Sequence, residues 1–156
     1  MRIAIGSDHA GFHLKEHVKA TLTGAGHDVV DVGTSTADSV DYPSFAREAA
    51  ELVASGGADA GVIACGSGVG VSIVANKVGG VRAVNAHDVA EAEMSRRHND
   101  ANVVTLSGAR LDPQQADAIV ATFLRTDFEG GRHARRVGQI DAASSPSGSD
   151  AGRELA

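Results

Sequence analysis

The sequence predicts an α/β protein, a three-layer α/β/α domain around a five-stranded parallel sheet. Five short apolar, strand-compatible runs alternate with stretches whose apolar residues recur every three or four positions. Gly, Asn, Asp or Pro punctuates the joins between them. The 156 residues, 42% hydrophobic, suffice for one domain with a real core. Aromatics are only 3% and Trp is absent, so Ala, Val, Ile and Leu must build that core.

Arg2–Gly6 is the first strand, and Ser7-Asp8-His9-Ala10-Gly11 breaks it. Leu14, Val18 and Leu22 then mark one helix face, ended by Gly24 and Gly26. Asp28–Val32 is the second strand and Gly33–Asp41 a loop. In the next helix Pro43 sits near the first turn, and Phe45, Ala49, Leu52 and Val53 form the predicted apolar face. Ala60–Ala64 is the third strand, running into a glycine loop and a short helix. Val81–Val84 is the fourth, and Asp88 caps a helix running to about Arg97. Asn102–Leu106 is the fifth. Asp112-Pro113 starts an amphipathic helix with Ala116, Ile119, Val120 and Phe123 on its inner face. Alternation of this kind implies right-handed crossovers and helices on both sides of the sheet. Residues 1–140 read as one domain. Asp141–Ala156 has one Leu and no β-branched or aromatic residue, which predicts a disordered tail without a catalytic role.

The formal charge of −6 and pI near 5.5 argue against a general nucleic-acid surface. A single cysteine excludes an intrachain disulfide framework and a Cys-rich zinc site, and fits a reducing compartment. The opening apolar run is too short for a signal peptide, and no stretch approaches the roughly 20 apolar residues that span a bilayer. The expectation is a cytoplasmic protein with no membrane or nucleic-acid partner.

The richest chemistry lies in Val62-Ile63-Ala64-Cys65-Gly66-Ser67-Gly68-Val69-Gly70-Val71-Ser72. A lone cysteine is ordinarily a small buried residue. Here it leads directly into a run of small residues whose backbone N–H groups can converge on an anion, with a helix N-terminus behind that favours negative charge. Cys65 is thus a candidate base or nucleophile. Position 71 is Val, which fails the G-x-G-x-x-G pattern and the arginine of a cysteine phosphatase; no G-K-[ST] follows; Ser67 lacks the flanking glycines of a hydrolase elbow. In open α/β sheets ligands collect at the carboxyl ends of strands. The loops Ser7–Gly11, Cys65–Gly70, Asn85–Asp88 and Ser107–Arg110 all leave such ends. His98-Asn99-Asp100 reads alone as a solvated helix end, and Asp8-His9 as a polar turn. His9, His13 and His17 are four apart but fall mostly on an ordinary amphipathic helix, so no metal site is expected. Arg132 and Arg136 share a face if helical, and two guanidiniums together suit a phosphate.

The ordered set of motifs resembles the ribose-5-phosphate isomerase B family, which includes the galactose-6-phosphate isomerase subunits and has a Rossmann-like fold. The matching residues are Gly6–Gly11, Asp41-Tyr42-Pro43, Cys65–Gly70, Ala75-Asn76-Lys77, Arg82-Ala83, Arg97–Asn102, Gly108-Ala109-Arg110, and Arg132-His133 with Arg136. The resemblance implies interconversion of ribose 5-phosphate and ribulose 5-phosphate, a pentose phosphate pathway step, without metal or cofactor. It implies Cys65 as base at C2, His98 as ring-opening acid, and Ser67 in proton transfer between the substrate oxygens. Gly66, Ser67, Gly68, Val69 and Gly70 would hold the enediolate. Asp8 and His9 would contact the sugar, and Asn99, Arg110, Arg132 and Arg136 would complete substrate and phosphate binding. It also implies a homodimer or tetramer with the site between chains. Ser67 stands where many relatives have Thr, and the hydroxyl survives. One branch uses a glutamate base at the position of Val71; its absence here points to Cys65. A hexose 6-phosphate (allose or galactose) is the alternative substrate. A non-catalytic flavin or nucleotide module is disfavoured by the missing stacking aromatics and dinucleotide fingerprint.

Overall fold

The computed structural model describes residues 1–144. Five strands, β1 (Arg2–Ser7), β2 (Asp28–Asp31), β3 (Ala60–Cys65), β4 (Ala83–Asn85) and β5 (Val103–Ser107), form one sheet. Every ladder is parallel and the order is β2-β1-β3-β5-β4. The helices are α1 (Phe12–Gly24), α2 (Tyr42–Ala54), α3 (Val69–Asn76), α4 (Val89–Asn99), α5 (Pro113–Arg125) and α6 (Arg132–Ala143). The chain first winds from β1 to β2, then crosses to β3 on the other side of β1. The switch point therefore lies between β1 and β3, where ligand sites form in such sheets.

The predicted three-layer architecture is observed. The strands alternate between two cores, as a period of two requires. Ile3, Ile5, Val62, Ala64, Val104 and Leu106 face α1 and α5; Ala4, Ile63, Cys65 and Val103 face α2 and α3. The predicted face of α5 is fully buried, and its start is a capping box between Asp112 and Gln115. On α2 the buried residues are Ala46, Ala49, Ala50 and Val53, with Phe45 and Leu52 only partly covered. Small side chains let that helix sit close on the sheet, so the large ones are displaced to its flanks.

Strands β1, β2, β3 and β5 differ from the expected ranges by one residue, and three boundaries move further. Strand β4 is Ala83–Asn85 rather than Val81–Val84, because the Val81 amide closes a turn onto the Val78 carbonyl at 3.1 Å. Helix α4 continues past Arg97 to Asn99, since Asp100 takes the left-handed capping conformation (φ 45°). Arg82 and Arg96 hold the Asp100 carboxylate at 3.3 and 3.0 Å. The expected tail from Asp141 begins inside α6, and Asp141 pairs with Arg82 at 2.9 Å. The rest of that tail, 145–156, lies outside the described residues. No helix among the described residues is long and apolar enough to cross a membrane.

Candidate active site

Cys65 ends β3 at the switch point, only 5% exposed, with its side chain on the α2–α3 side of the sheet. The loop after it is anchored through its carbonyls. Gly108 N–H donates to the Cys65 carbonyl at 2.8 Å, and Ala109 N–H and Ser107 Oγ donate to that of Gly66 at 3.1 and 2.7 Å. Asn85 Nδ2 donates to the Ser67 carbonyl at 3.2 Å, and Thr105 Oγ1 to that of Gly68 at 2.9 Å. With its carbonyls turned in toward β4 and β5, the loop turns its amides out. Gly68 N–H donates to Cys65 Sγ at 3.1 Å, and Val69 N–H to Ser67 Oγ at 3.2 Å. The amides of Ser67, Gly70 and Val71 bond to no other described residue. The first turn of α3 adds its positive end at the same place. The arrangement is a cradle for an anion with a thiol at its rim.

Two glycines leave room there. Gly68 has φ +75°, and a Cβ on it would lie 2.2 Å from Asn85 Oδ1. A Cβ on Gly70 would lie 2.6 Å from the Tyr42 ring, so Tyr42 at the start of α2 forms a wall against the cradle. Asn85, Thr105, Ser107 and Tyr42 are contributors that composition and spacing left unassigned. Tyr42 lies in the Asp41-Tyr42-Pro43 motif, to which the resemblance attaches no role. The other three were readable only as strand-end polar residues.

The β1–α1 loop lies beside this cradle. Asp8 is buried and accepts the Gly11 amide at 3.0 Å through Oδ1, the polar turn read from sequence. His9 Nδ1 lies 3.2 Å from both the amide nitrogen and the carbonyl oxygen of Val40, pinning the Gly33–Asp41 loop over the site. Arg110, exposed on the β5–α5 loop, belongs to the same edge.

His98, Asn99, Arg132 and Arg136 do not join this group within one chain. Arg82 Nε donates to the Asn99 and Asp100 carbonyls, both at 3.0 Å, while Asn102 N–H donates to the Arg82 carbonyl at 3.0 Å. The end of α4 therefore sits at the amino edge of the sheet. Cys65 is in register with Ser107 at the other end of the five-residue β5, about 13 Å away along the strand. At that amino edge the His98 ring stacks on His133 of α6, centroids 4.3 Å apart and planes within 8°. Both Nε2 atoms face Glu129 Oε2, His98 at 3.8 Å and His133 at 3.5 Å. Arg132 and Arg136 lie exposed on α6, and neither they nor Arg110 pairs with a carboxylate among the described residues. His98, Glu129 and His133 bring three donor atoms within 4.8 Å of one another. Parallel stacked imidazoles aim their lone pairs side by side rather than at one point, which does not suit a tetrahedral ion.

The family model for "Ribose/Galactose Isomerase" matches residues 3–140. The chain belongs to the ribose/galactose isomerase family. Among members of the ribose/galactose isomerase family, ribose-5-phosphate isomerase B of Escherichia coli (strain K12) is 43% identical over 141 residues, 90% of this chain and 95% of that protein. The Clostridium thermocellum ribose-5-phosphate isomerase B structure superposes with a TM-score of 0.90 at 47% identity, covering 92% of this chain and 97% of that one. The Mycoplasma genitalium enzyme, solved with bound ribulose-5-phosphate, gives a TM-score of 0.88 at 40% identity, covering 91% and 95%.

Proposed function

We propose that this chain is an aldose–ketose isomerase interconverting ribose 5-phosphate and ribulose 5-phosphate, with each active site assembled from two chains. The observation that carries the reading is the Cys65 thiol at the rim of an outward-facing amide cradle, in a family whose members bear that activity. The Cys65 thiolate takes the proton from C2 of the open-chain aldose. The electron pair moves into the C1–C2 bond, and the carbonyl oxygen becomes an enediolate held by the amides of Ser67, Gly70 and Val71. The Ser67 hydroxyl passes a proton between the two oxygens, and Cys65 returns its proton to C1. Asp8 keeps its second carboxylate oxygen and His9 its Nε2 for sugar hydroxyls.

His98 serves as ring-opening acid in a neighbouring chain's site, and brings Asn99, Arg132 and Arg136 with it. Arg110 supplies a further cation at the cradle edge. Two observations support sharing between chains. The two groups stand at opposite sheet edges, and large apolar side chains are exposed beside each: Val69 and Ile73 on α3 by the cradle, Met94 on α4 and Ile140 on α6 by the histidines. The single cysteine fits a cytoplasmic setting.

Subunit mixing tests the shared site. Cys65→Ala and His98→Asn are each inactive as homomers, and an equal mixture recovers about one quarter of wild-type turnover, because half of the dimers then hold one intact site. No recovery in mixtures shown to exchange subunits overturns it. A panel of ribose 5-phosphate, allose 6-phosphate and galactose 6-phosphate, compared by kcat/KM, tests the substrate. Preference for a hexose phosphate overturns the pentose assignment.

A further inference from the structure

The geometry points to Glu129 and His133 as positioning residues for His98, a carboxylate and a stacked ring that hold its imidazole in one plane and make it the ring of the pair that carries the proton. This rests on the reading of His98 as the ring-opening acid.

The pair is asymmetric in the respect that matters. His133 is 7% exposed, whereas the His98 side chain is 30% exposed. Burial holds the His133 imidazole below its ordinary range, and His98, Arg132 and Arg136 push it further down against the pull of Glu129. At a stacking distance of 4.3 Å, two imidazolium charges repel. A second proton on the pair is therefore disfavoured, and burial makes His133 the ring that goes without one. Glu129 supplies the opposing charge. The hydrogen bond from Arg97 holds its carboxyl below the usual carboxylate range, so it stays ionised. Arg97 Nε donates to Glu129 Oε1 at 2.6 Å, and the Glu129 amide donates to the Arg97 carbonyl at 3.1 Å, fixing the loop from both sides.

The backbone explains how three separate segments meet. Gly130 and Gly131 follow Glu129 with φ of +66° and +57°. This turn starts α6 at once and returns His133 beneath the Glu129 carboxylate, one helical turn on. The charged groups facing the pair are Arg97 from α4, with Glu93 bound to it at 3.1 Å, Glu129 from the loop, and Arg132 and Arg136 from α6. Arg97 is offset by Glu93 and Glu129, which leaves Arg132 and Arg136 as the cations facing the rings and Glu129 as the carboxylate that opposes them.

The test is an ¹⁵N-histidine NMR titration of the full chain, with His98 assigned by the signal lost in His98→Asn. Glu129→Gln, at an exposed loop position, moves the His98 titration midpoint to lower pH. His133→Phe, which keeps an aromatic face and removes the competing base, moves it to higher pH. Opposite shifts are the signature, since a merely structural role moves neither or both alike. In Glu129→Gln, kcat/KM for ribose 5-phosphate at pH 7 falls about tenfold, within the range a positioned acid supplies. The deuterium isotope effect at C2 shrinks as ring opening becomes limiting, and Glu129→Asp restores part of the rate. An unmoved His98 midpoint in Glu129→Gln overturns the proposal even if His133→Phe fails to fold. Wild-type turnover in His98→Asn would instead overturn the acid reading, which the titration does not depend on.

Discussion

The Gly68 amide donates to the Cys65 sulfur at 3.1 Å, so the loop that would hold the enediolate also orients the sulfur of the base that would form it. Thiol and cradle are one structural unit, and changes to either should show in the chemical step.

Replacing Cys65 with Ala removes the proposed base while leaving the backbone cradle. Turnover should fall by about 10²–10⁴-fold, the contribution of a positioned base. Circular dichroism and affinity for a phosphosugar inhibitor should stay near wild type. Near-normal turnover would remove Cys65 from the mechanism.

Gly68→Ala and Gly70→Ala should separate. Gly68 is left-handed and faces Asn85, so a methyl there costs about 1–2 kcal/mol from the backbone alone, before the clash is relieved. Its melting temperature should drop together with kcat. The three atoms nearest a methyl on Gly70 all belong to the far end of the Tyr42 ring, which can swing. Stability should hold while kcat falls, and Tyr42→Ala combined with Gly70→Ala should be no worse than the poorer single variant. Additive losses would show that Tyr42 and Gly70 do not share one effect.

Ser107→Ala removes a fully buried hydroxyl that donates to the Gly66 carbonyl at 2.7 Å. Ala109 still bonds that carbonyl, so unfolding free energy should fall by only about 1 kcal/mol. Loosening the cradle should lower kcat more than it changes KM. An unchanged kcat would mean the loop is held well enough by its backbone bonds.

Acid stability should report on Asp31, which stands between Lys15 and Lys19, each at 2.7 Å. Burial alone would raise its carboxyl, but hydrogen bonds from Lys15, Lys19 and the Gly33 amide outweigh it and hold the group below its usual range. A depressed carboxylate stabilises the fold above its unfolded value of about 3.9 and loses that contribution as pH falls through the folded value. Lys15 is almost fully buried but keeps Glu16 as a partner, so Asp31→Asn should cost about 1–3 kcal/mol at pH 7. The deficit should narrow below pH ~4, where wild type loses the same contribution. Urea unfolding at both pH values checks the sign.

Much of the fold was legible because its signals are local. The spacing of Leu14, Val18 and Leu22 and the Asp112-Pro113 start depend on neighbours a few residues away, and all three apolar residues are buried while Asp112 caps α5. The β4 and α4 ends are not legible in the apolar pattern because a turn and a cap set them: the Val81 amide bonds the Val78 carbonyl, and Asp100 is left-handed and held by Arg82 and Arg96. In the same way Ser107 and Thr105 look like ordinary strand residues until β5 lies beside the loop after β3.

By itself the sequence determined the alternation of strands and helices, and with it which loops share the carboxyl edge, including the one that follows the sole cysteine. Tertiary structure decided that the functional residues fall into two groups. A crossover helix returns along the sheet, so α4 carries His98 to the amino edge while Cys65 stays at the other. The stacking of His98 on His133 under Glu129 likewise joins segments about 30 residues apart, which no local pattern encodes.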